Sequence, residues 1–582
     1  MSYRRKKLLA LFFAMALSMT AVAGCTGIKS STGNVVSSET ETNAEETSAQ
    51  SEAGTFSSAD MFTERDLAGT YEESGAVYVT LSDDGITGET DGVVIKGQTV
   101  TITAEGTYIF SGTLSEGQIV VDADNAKVQI VFDNVDITCA SSAAVYVKSA
   151  EKVFVTLAEG SQNTLRNTDE YVAIDDNNID AVIFAKSDLT LNGTGSLTII
   201  SAEGHGIVSK DDLKIIGGTY DITAAGHALS GKDSVRIADG TFILTAEKDG
   251  IHAENADDEE KGYIYIADGD FTITSDGDGM DASNIVQIED GTLDITAGGG
   301  AANSLKTHES DVPGGPGGGM PQNGERPDGE NMPQDTTTDE SGTSTKGIKA
   351  GGGMYLNGGT YKIDSADDSI HSNANITIAD GTYTLATGDD GVHADDALIV
   401  NGGTITVTES YEGLEGLAVT INDGTIDITA SDDGINTAGE KMELNGGYIH
   451  ILAGGDGVDS NGDLTINGGE IYIDGPSDNG NSAIDYGDRS SAYVNGGTLV
   501  AIGSSGMAEV MSDSSKQKVL MVKLGEQMEA GNVVLTDSEG NVIVSYTALK
   551  TYDCVIISTA EVESGATYTL TTSGTTTEVT AE

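Results

Sequence analysis

The sequence predicts an all-β protein, a right-handed parallel β-helix solenoid of three-strand coils with β-rich caps. Three observations carry this. A glycine closes a Gly-Gly or Asp-Gly pair at Gly218, Gly240, Gly269, Gly291, Gly359, Gly381, Gly403, Gly424, Gly447, Gly469 and Gly497, and most of these lie 22 residues apart, give or take one. A period of that size marks a stack of repeats. Two and four residues after each glycine stand apolar side chains, as in Tyr383 and Leu385 or Ile426 and Ile428, alternating with Thr and Asp; this is the pattern of a strand with one buried face. A second strand precedes the glycine (Ile376 and Ile378, Val419 and Ile421), and a third, shorter one supplies one inward residue per repeat (Ile370, Val392, Leu414, Ile435, Val458). A leucine-rich repeat of similar period needs a Leu-Asn framework, which is missing, and nothing in these coils has helical spacing.

Residues 1–24 form a lipoprotein signal peptide: Arg4, Arg5, Lys6 and Lys7 are its basic end, and Leu8 to Ala23 are too short for a comfortable membrane span. The stretch ends in Val22-Ala23-Gly24-Cys25, which resembles the bacterial lipobox and makes Cys25 the lipidation site of a protein held at the extracellular face of the cell membrane. Residues 25–68, rich in Ser, Thr and Glu, are expected to be a disordered tether. Residues 69–200 carry wider, irregular strand patterns such as Val128 to Phe132 and Val153 to Leu157, expected as an N-terminal cap and first coils. Residues 201–503 hold the regular repeat, interrupted at about 298–345 by a low-complexity insert containing Pro313-Gly314-Gly315-Pro316. Residues 504–582 lose the period but keep strands, with a hairpin signal at Asn532 to Leu535 and Val542 to Val544, and are expected to cap the exposed strand edges. Cys139 and Cys554 are too few for a disulfide framework and are expected to be buried separately.

The chain has 29 basic and 93 acidic residues, a formal charge of -64. Nucleic acid and anionic membrane surfaces are therefore poor partners unless cations intervene, and membrane contact is expected through the N-terminal lipid only, for a monomer. The acids stand in register. Asp368, Asp390, Glu412, Asp433 and Asp456 form one ladder, preceded in several coils by Asp367, Asp389 and Asp432, and followed three residues later by His371, His393, Glu415, Asn436 and Asp459. Earlier coils add Asp249 with His252, and Asp278 with Asp281. At the roughly 4.8 Å spacing of stacked strands, like charges repel by about 1 kcal/mol per pair in water and more where solvent is excluded. A hard divalent cation relieves this, since Ca2+ takes six to eight oxygen ligands in flexible geometry. The candidate ligands are Asp278, Asp281, Asp367, Asp368, Asp389, Asp390, Glu412, Glu415, Asp432, Asp433, Asp456 and Asp459. Asp-Gly pairs also suit plain turns facing water. Oxygen donors dominate and no cysteine accompanies the histidines, which are expected to stack or face solvent.

Gly106-Thr107-Tyr108 through Gly112-Thr113-Leu114, Gln118 to Val121, Ala158-Glu159-Gly160 with Asn163-Thr164-Leu165, and coils such as Asp249-Gly250-Ile251-His252 and Asp433-Gly434-Ile435 together resemble the clostridial carbohydrate-binding β-helix proteins, from about Gly69 to the C-terminus. The resemblance implies a calcium-binding parallel β-helix, similar in shape to pectate lyases, that binds cellulose-like and acidic, pectin-like polysaccharides. The long insert departs from that pattern.

The expected function is calcium-dependent polysaccharide binding, with two alternatives. A pectate-type lyase would need a base to take the C5 proton, for which Lys349 and Lys306 are the candidates. A purely structural or adhesive surface protein would use calcium for stability alone. There is no Trp; Tyr220, Tyr361 and Tyr383 fall on inward positions, while Tyr411, Tyr448 and Tyr472 are off the core register and are the candidate sugar contacts.

Overall fold

The apolar residue two places after each repeat glycine forms one unbroken parallel column: Tyr220, Phe242, Phe271, Leu293, Tyr361, Tyr383, Ile405, Ile426, Ile449, Ile471 and Leu499. Each is buried, so every repeat adds a layer to a continuous apolar core. This computed structural model describes residues 56–258, 260–306, 344–439, 441–487, 489–573 and 575–581. The signal peptide, Cys25, tether residues 25–55 and insert residues 307–343 lie outside the described residues.

The protein is nearly all-β, with its strands in a long parallel arrangement. The insert does not disturb it: Thr292–Ala297 pairs in register with Thr360–Ser365 directly across that interval. Glycine is needed at the corners because the backbone turns left-handed there. Gly447 has φ +84°, and a Cβ on it would stand 2.6 Å from the Gly424 carbonyl oxygen. Beside this corner runs an amide ladder in which Asn422, Asn445, Asn467 and Asn495 each donate from Nδ2 to Oδ1 of the asparagine one repeat back, beginning at Asn401, at 2.8 to 2.9 Å.

At the N-terminal end, the hairpin Val93–Lys96 and Thr99–Ile102 precedes the longer strands Gly106–Leu114 and Lys127–Thr138. At the other end, Thr498–Gly503 pairs antiparallel with Tyr552–Ser558, closing the parallel order. Beyond it lies a four-stranded antiparallel sheet containing the expected hairpin, Gly531–Thr536 with Val542–Ala548. Its core includes Val533, Leu535, Tyr568 and Leu570. Cys139 and Cys554 are buried and unpaired.

The end of the expected tether is corrected: residues 56–68 are ordered against the stack. They form helices α1 (Ser58–Met61) and α2 (Glu64–Ala68), the second opened by a capping box between Thr63 and Asp66. Phe56 exchanges two backbone hydrogen bonds with the Gln287 side chain, at 2.6 and 3.0 Å, and Met61 packs with Tyr263 and Tyr265. Asp66 is fully buried with Lys152 Nζ at 2.6 Å. Burial alone would raise its pKa, but Lys152 and Thr63 outweigh it and hold the carboxyl at about 2. A polar composition hid these few anchoring residues.

Candidate functional site

The third strand of each repeat begins at an acidic corner, where two columns of side chains stand three residues apart. The first runs His205, His227, Asp249, Asp278, Lys346, Asp368, Asp390, Glu412, Asp433, Asp456, and the second His252, Asp281, Lys349, His371, His393, Glu415, Asn436, Asp459, Asp485. First-column acids have a structural task. Asp249 Oδ1 accepts the Asp278 amide at 2.9 Å, Asp390 Oδ1 that of Glu412 at 3.2 Å, Asp433 Oδ1 that of Asp456 at 2.6 Å, and Asp456 Oδ1 that of Ser482 at 2.5 Å. One carboxylate oxygen thus pins the next turn, as Asp does in a tight corner, while the other is left for the second column.

What that second oxygen meets changes along the stack. Asp249 Oδ2 faces His252 Nδ1 at 2.9 Å and Asp390 Oδ2 faces His393 Nδ1 at 3.1 Å. Burial disfavours protonated imidazole, yet the flanking carboxylates outweigh it and push both histidines up to about 10. Around Asp367, Asp368 and Asp389 the counter-ions are lysines. Lys306 Nζ lies 2.7 Å from Asp367 and contacts Asp389, and Lys346 Nζ lies 2.8 Å from Asp367 and 2.5 Å from Asp368. Lys349 Nζ sits 3.4 Å from Asp278 and 3.3 Å from Asp281. In all three, burial favours the free amine but the carboxylates prevail, holding the ammonium above the usual lysine range. A base must be the free amine, so Lys306 and Lys349 stand here as counter-ions.

Further along, the cations stop. Asp433, Asp456 and Asp459 bring carboxylate oxygens within 4.8 Å of one another, and among the described residues no lysine, arginine or histidine pairs with them. Burial first, then neighbouring acids, pushes Asp433 up to about 8, Asp456 to about 7 and Asp459 to about 6. Glu412 and Glu415, one repeat back, are raised for the same reasons. Between Glu415 and Asp459 in the second column, Asn436 donates Nδ2 to Glu412 at 2.9 Å, while its buried Oδ1 has no hydrogen-bond partner. Such a set of hard oxygens, with one orphaned amide oxygen, fits Ca2+. Sequence alone did not single out Asn436 as a donor.

The histidine column offers a different donor set, His227, Asp249 and His252. The rings of His227 and His252 stack 4.1 Å apart and within 13° of parallel. Their nitrogen lone pairs therefore run side by side, and one tetrahedral ion could not lie in both ring planes.

The three candidate tyrosines separate. Tyr411 belongs to the acidic corner, its amide donating to the Asp389 carbonyl at 2.7 Å and its carbonyl accepting from Asp432 at 3.0 Å. Tyr448 and Tyr472 lie on the outward face of the strand after the glycine corner, their ring centroids 5.7 Å apart.

The family model of carbohydrate-binding domain-containing proteins matches residues 96–391 and 389–541. A carbohydrate-binding domain-containing protein of Acetivibrio thermocellus is 41% identical over 135 residues, 23% of this chain and 47% of that protein, so the chain spans about half the length of the curated relative it matches. A solved structure described as the polysaccharide lyase-like protein from C. thermocellum, in a gadolinium derivative, is 36% identical, with a TM-score of 0.37 over 38% of this chain and 92% of that one. With the family model spanning well over half of its length, this chain belongs to the carbohydrate-binding domain-containing protein family.

Proposed function

We propose that the protein is a calcium-dependent polysaccharide-binding protein built as a right-handed parallel β-helix and anchored outside the cell membrane through Cys25. The observation that carries this reading is the run of Glu412, Asp433, Asp456 and Asp459, which starts where Glu415 meets the last internal counter-ion of the corner, His393, at 3.2 Å. Buried carboxylates without a cation must take up protons or a metal, and oxygen donors of this number and irregularity suit calcium. When bound, calcium supplies positive charge that carboxylates of an acidic, pectin-like polymer can share with the protein. The chain's own residues would hold that charge at the corner to which Tyr411 belongs, and repetition along the stack adds avidity.

The test is retention of the protein on polygalacturonate with calcium and with chelator, reading the ultraviolet absorbance of unsaturated product in the same tubes. Retention in calcium, loss in chelator and no absorbance is the expected result. Rising absorbance would replace this reading with a lyase. Calcium-dependent melting without retention would leave a structural protein.

A further inference from the structure

We propose that Tyr448, Tyr472 and Tyr546 form a second glycan contact, for an uncharged polysaccharide, at the seam between the parallel stack and the C-terminal antiparallel sheet. The proposal rests on membership of the carbohydrate-binding family and is independent of the acidic corner.

The outward column of the strands after the glycine corner runs Asp427, His450, Tyr472, Val500. Asp427 is open to solvent, whereas Val500 is buried in the core of the C-terminal sheet. Tyr472 therefore stands where a flat, open face meets a wall. From that wall Tyr546 laps onto it, the two rings 5.2 Å apart and 13° from parallel. On its other side Tyr448 meets Tyr472 at 43° and remains 42% exposed. Three rings drawn from three strands and two sheets make one aromatic cluster, with Tyr448 its exposed member.

Tyr546, on which Tyr472 stacks, is held in place before any ligand arrives. Tyr546 Oη donates to Asp474 Oδ2 at 2.5 Å, and the Leu549 amide donates to Asp474 Oδ1 at 2.8 Å, with Asp474 itself buried. Fixed rings lose little side-chain freedom when a ligand covers them, which is why aromatic anchors recur in binding sites. The exposed Tyr448 ring, backed by the other two, offers a flat apolar face to the C–H face of a pyranose.

Charge selects the class of sugar. The rim carries Asp427, paired with His450 Nδ1 at 2.9 Å, and Glu470, opposite Tyr448 in register; these accept hydroxyl protons but repel uronate carboxylates. Two cations stand nearby, each with a partner: His450 lies between Asp427 and Asp474, and Lys550 donates to the Ala453 carbonyl. With its acids outermost, this rim suits an uncharged glucan better than an acidic one.

The test is depletion of the full chain from solution by amorphous cellulose in the presence of chelator, comparing wild type, Tyr448→Ala and Tyr448→Phe, with melting temperature as the folding control. Tyr448 is exposed, so truncating it opens no core cavity. Wild type and Tyr448→Phe should be retained and Tyr448→Ala weakened about tenfold, while calcium-dependent retention on polygalacturonate stays within about twofold of wild type in all three. Wild type that is not retained on cellulose in chelator, or Tyr448→Ala retained like wild type, would overturn the proposal. Loss of polygalacturonate binding alone would count against the calcium reading and leave this one standing.

Discussion

A carboxylate has two oxygens, and at the corner of this fold each has its own employment. One accepts the amide of the next repeat; the other meets a histidine or lysine in one half of the stack and, among the described residues, no internal cation in the other. Lys346→Met should therefore be costly. It takes an ammonium away from Asp367 and Asp368 and should lower unfolding free energy by about 3 kcal/mol in urea titrations, the usual penalty for stranding a buried charge. The opposite half predicts a pH dependence. The folded pKa values of Asp433, Asp456 and Asp459, pushed up to about 8, 7 and 6, lie above the unfolded carboxylate value. Their contribution is thus fully present below the unfolded pKa and lost as pH rises through the folded ones. In chelator the melting temperature should fall from pH 5 to pH 8, and calcium should flatten that slope; an equal slope with calcium would refute the site. Asp456→Asn keeps the oxygen that accepts the Ser482 amide and removes the charge. In chelator at pH 8 it should gain about 1–2 kcal/mol, while the increment that calcium adds should shrink.

At the scale of the element, the repeat was legible because everything that makes it is local and recurs. Apolar pairs two and four residues from a glycine need no knowledge of distant chain, and they mark strands that pair one repeat apart. The second column was legible on the same grounds, with Lys349 opposite His371 and His371 opposite His393. What escaped were contacts without a period. Lys306 meets Asp389 across 83 residues and an insert, and Tyr546 reaches Tyr472 only once the C-terminal sheet has folded back. The amide ladder is an intermediate case: Asn-Gly-Gly recurs in the sequence, but its meaning is visible only when side chains are stacked. Asn445→Ala interrupts two of its bonds, to Asn422 and Asn467. Because the ladder is exposed and water competes for the freed groups, the loss should be about 1 kcal/mol, read as a lower urea midpoint with an unchanged slope.

Over the whole molecule, the charge of -64 is organised rather than spread: the acids that stand in register are buried or half-buried, and their partners change along the stack from imidazole to ammonium, back to imidazole at His393, and then to none. The carboxylates without an internal cation therefore gather toward one end of that column. The N-terminal strap adds a different property. Phe56 is fastened at Gln287, well inside the stack and not at either tip. A pull on the chain ahead of Phe56 would consequently reach the stack at Gln287 first, and would have to strip residues 56–68 before it reached the N-terminal strands. Peeled away, they would let out roughly 45 Å of extended chain.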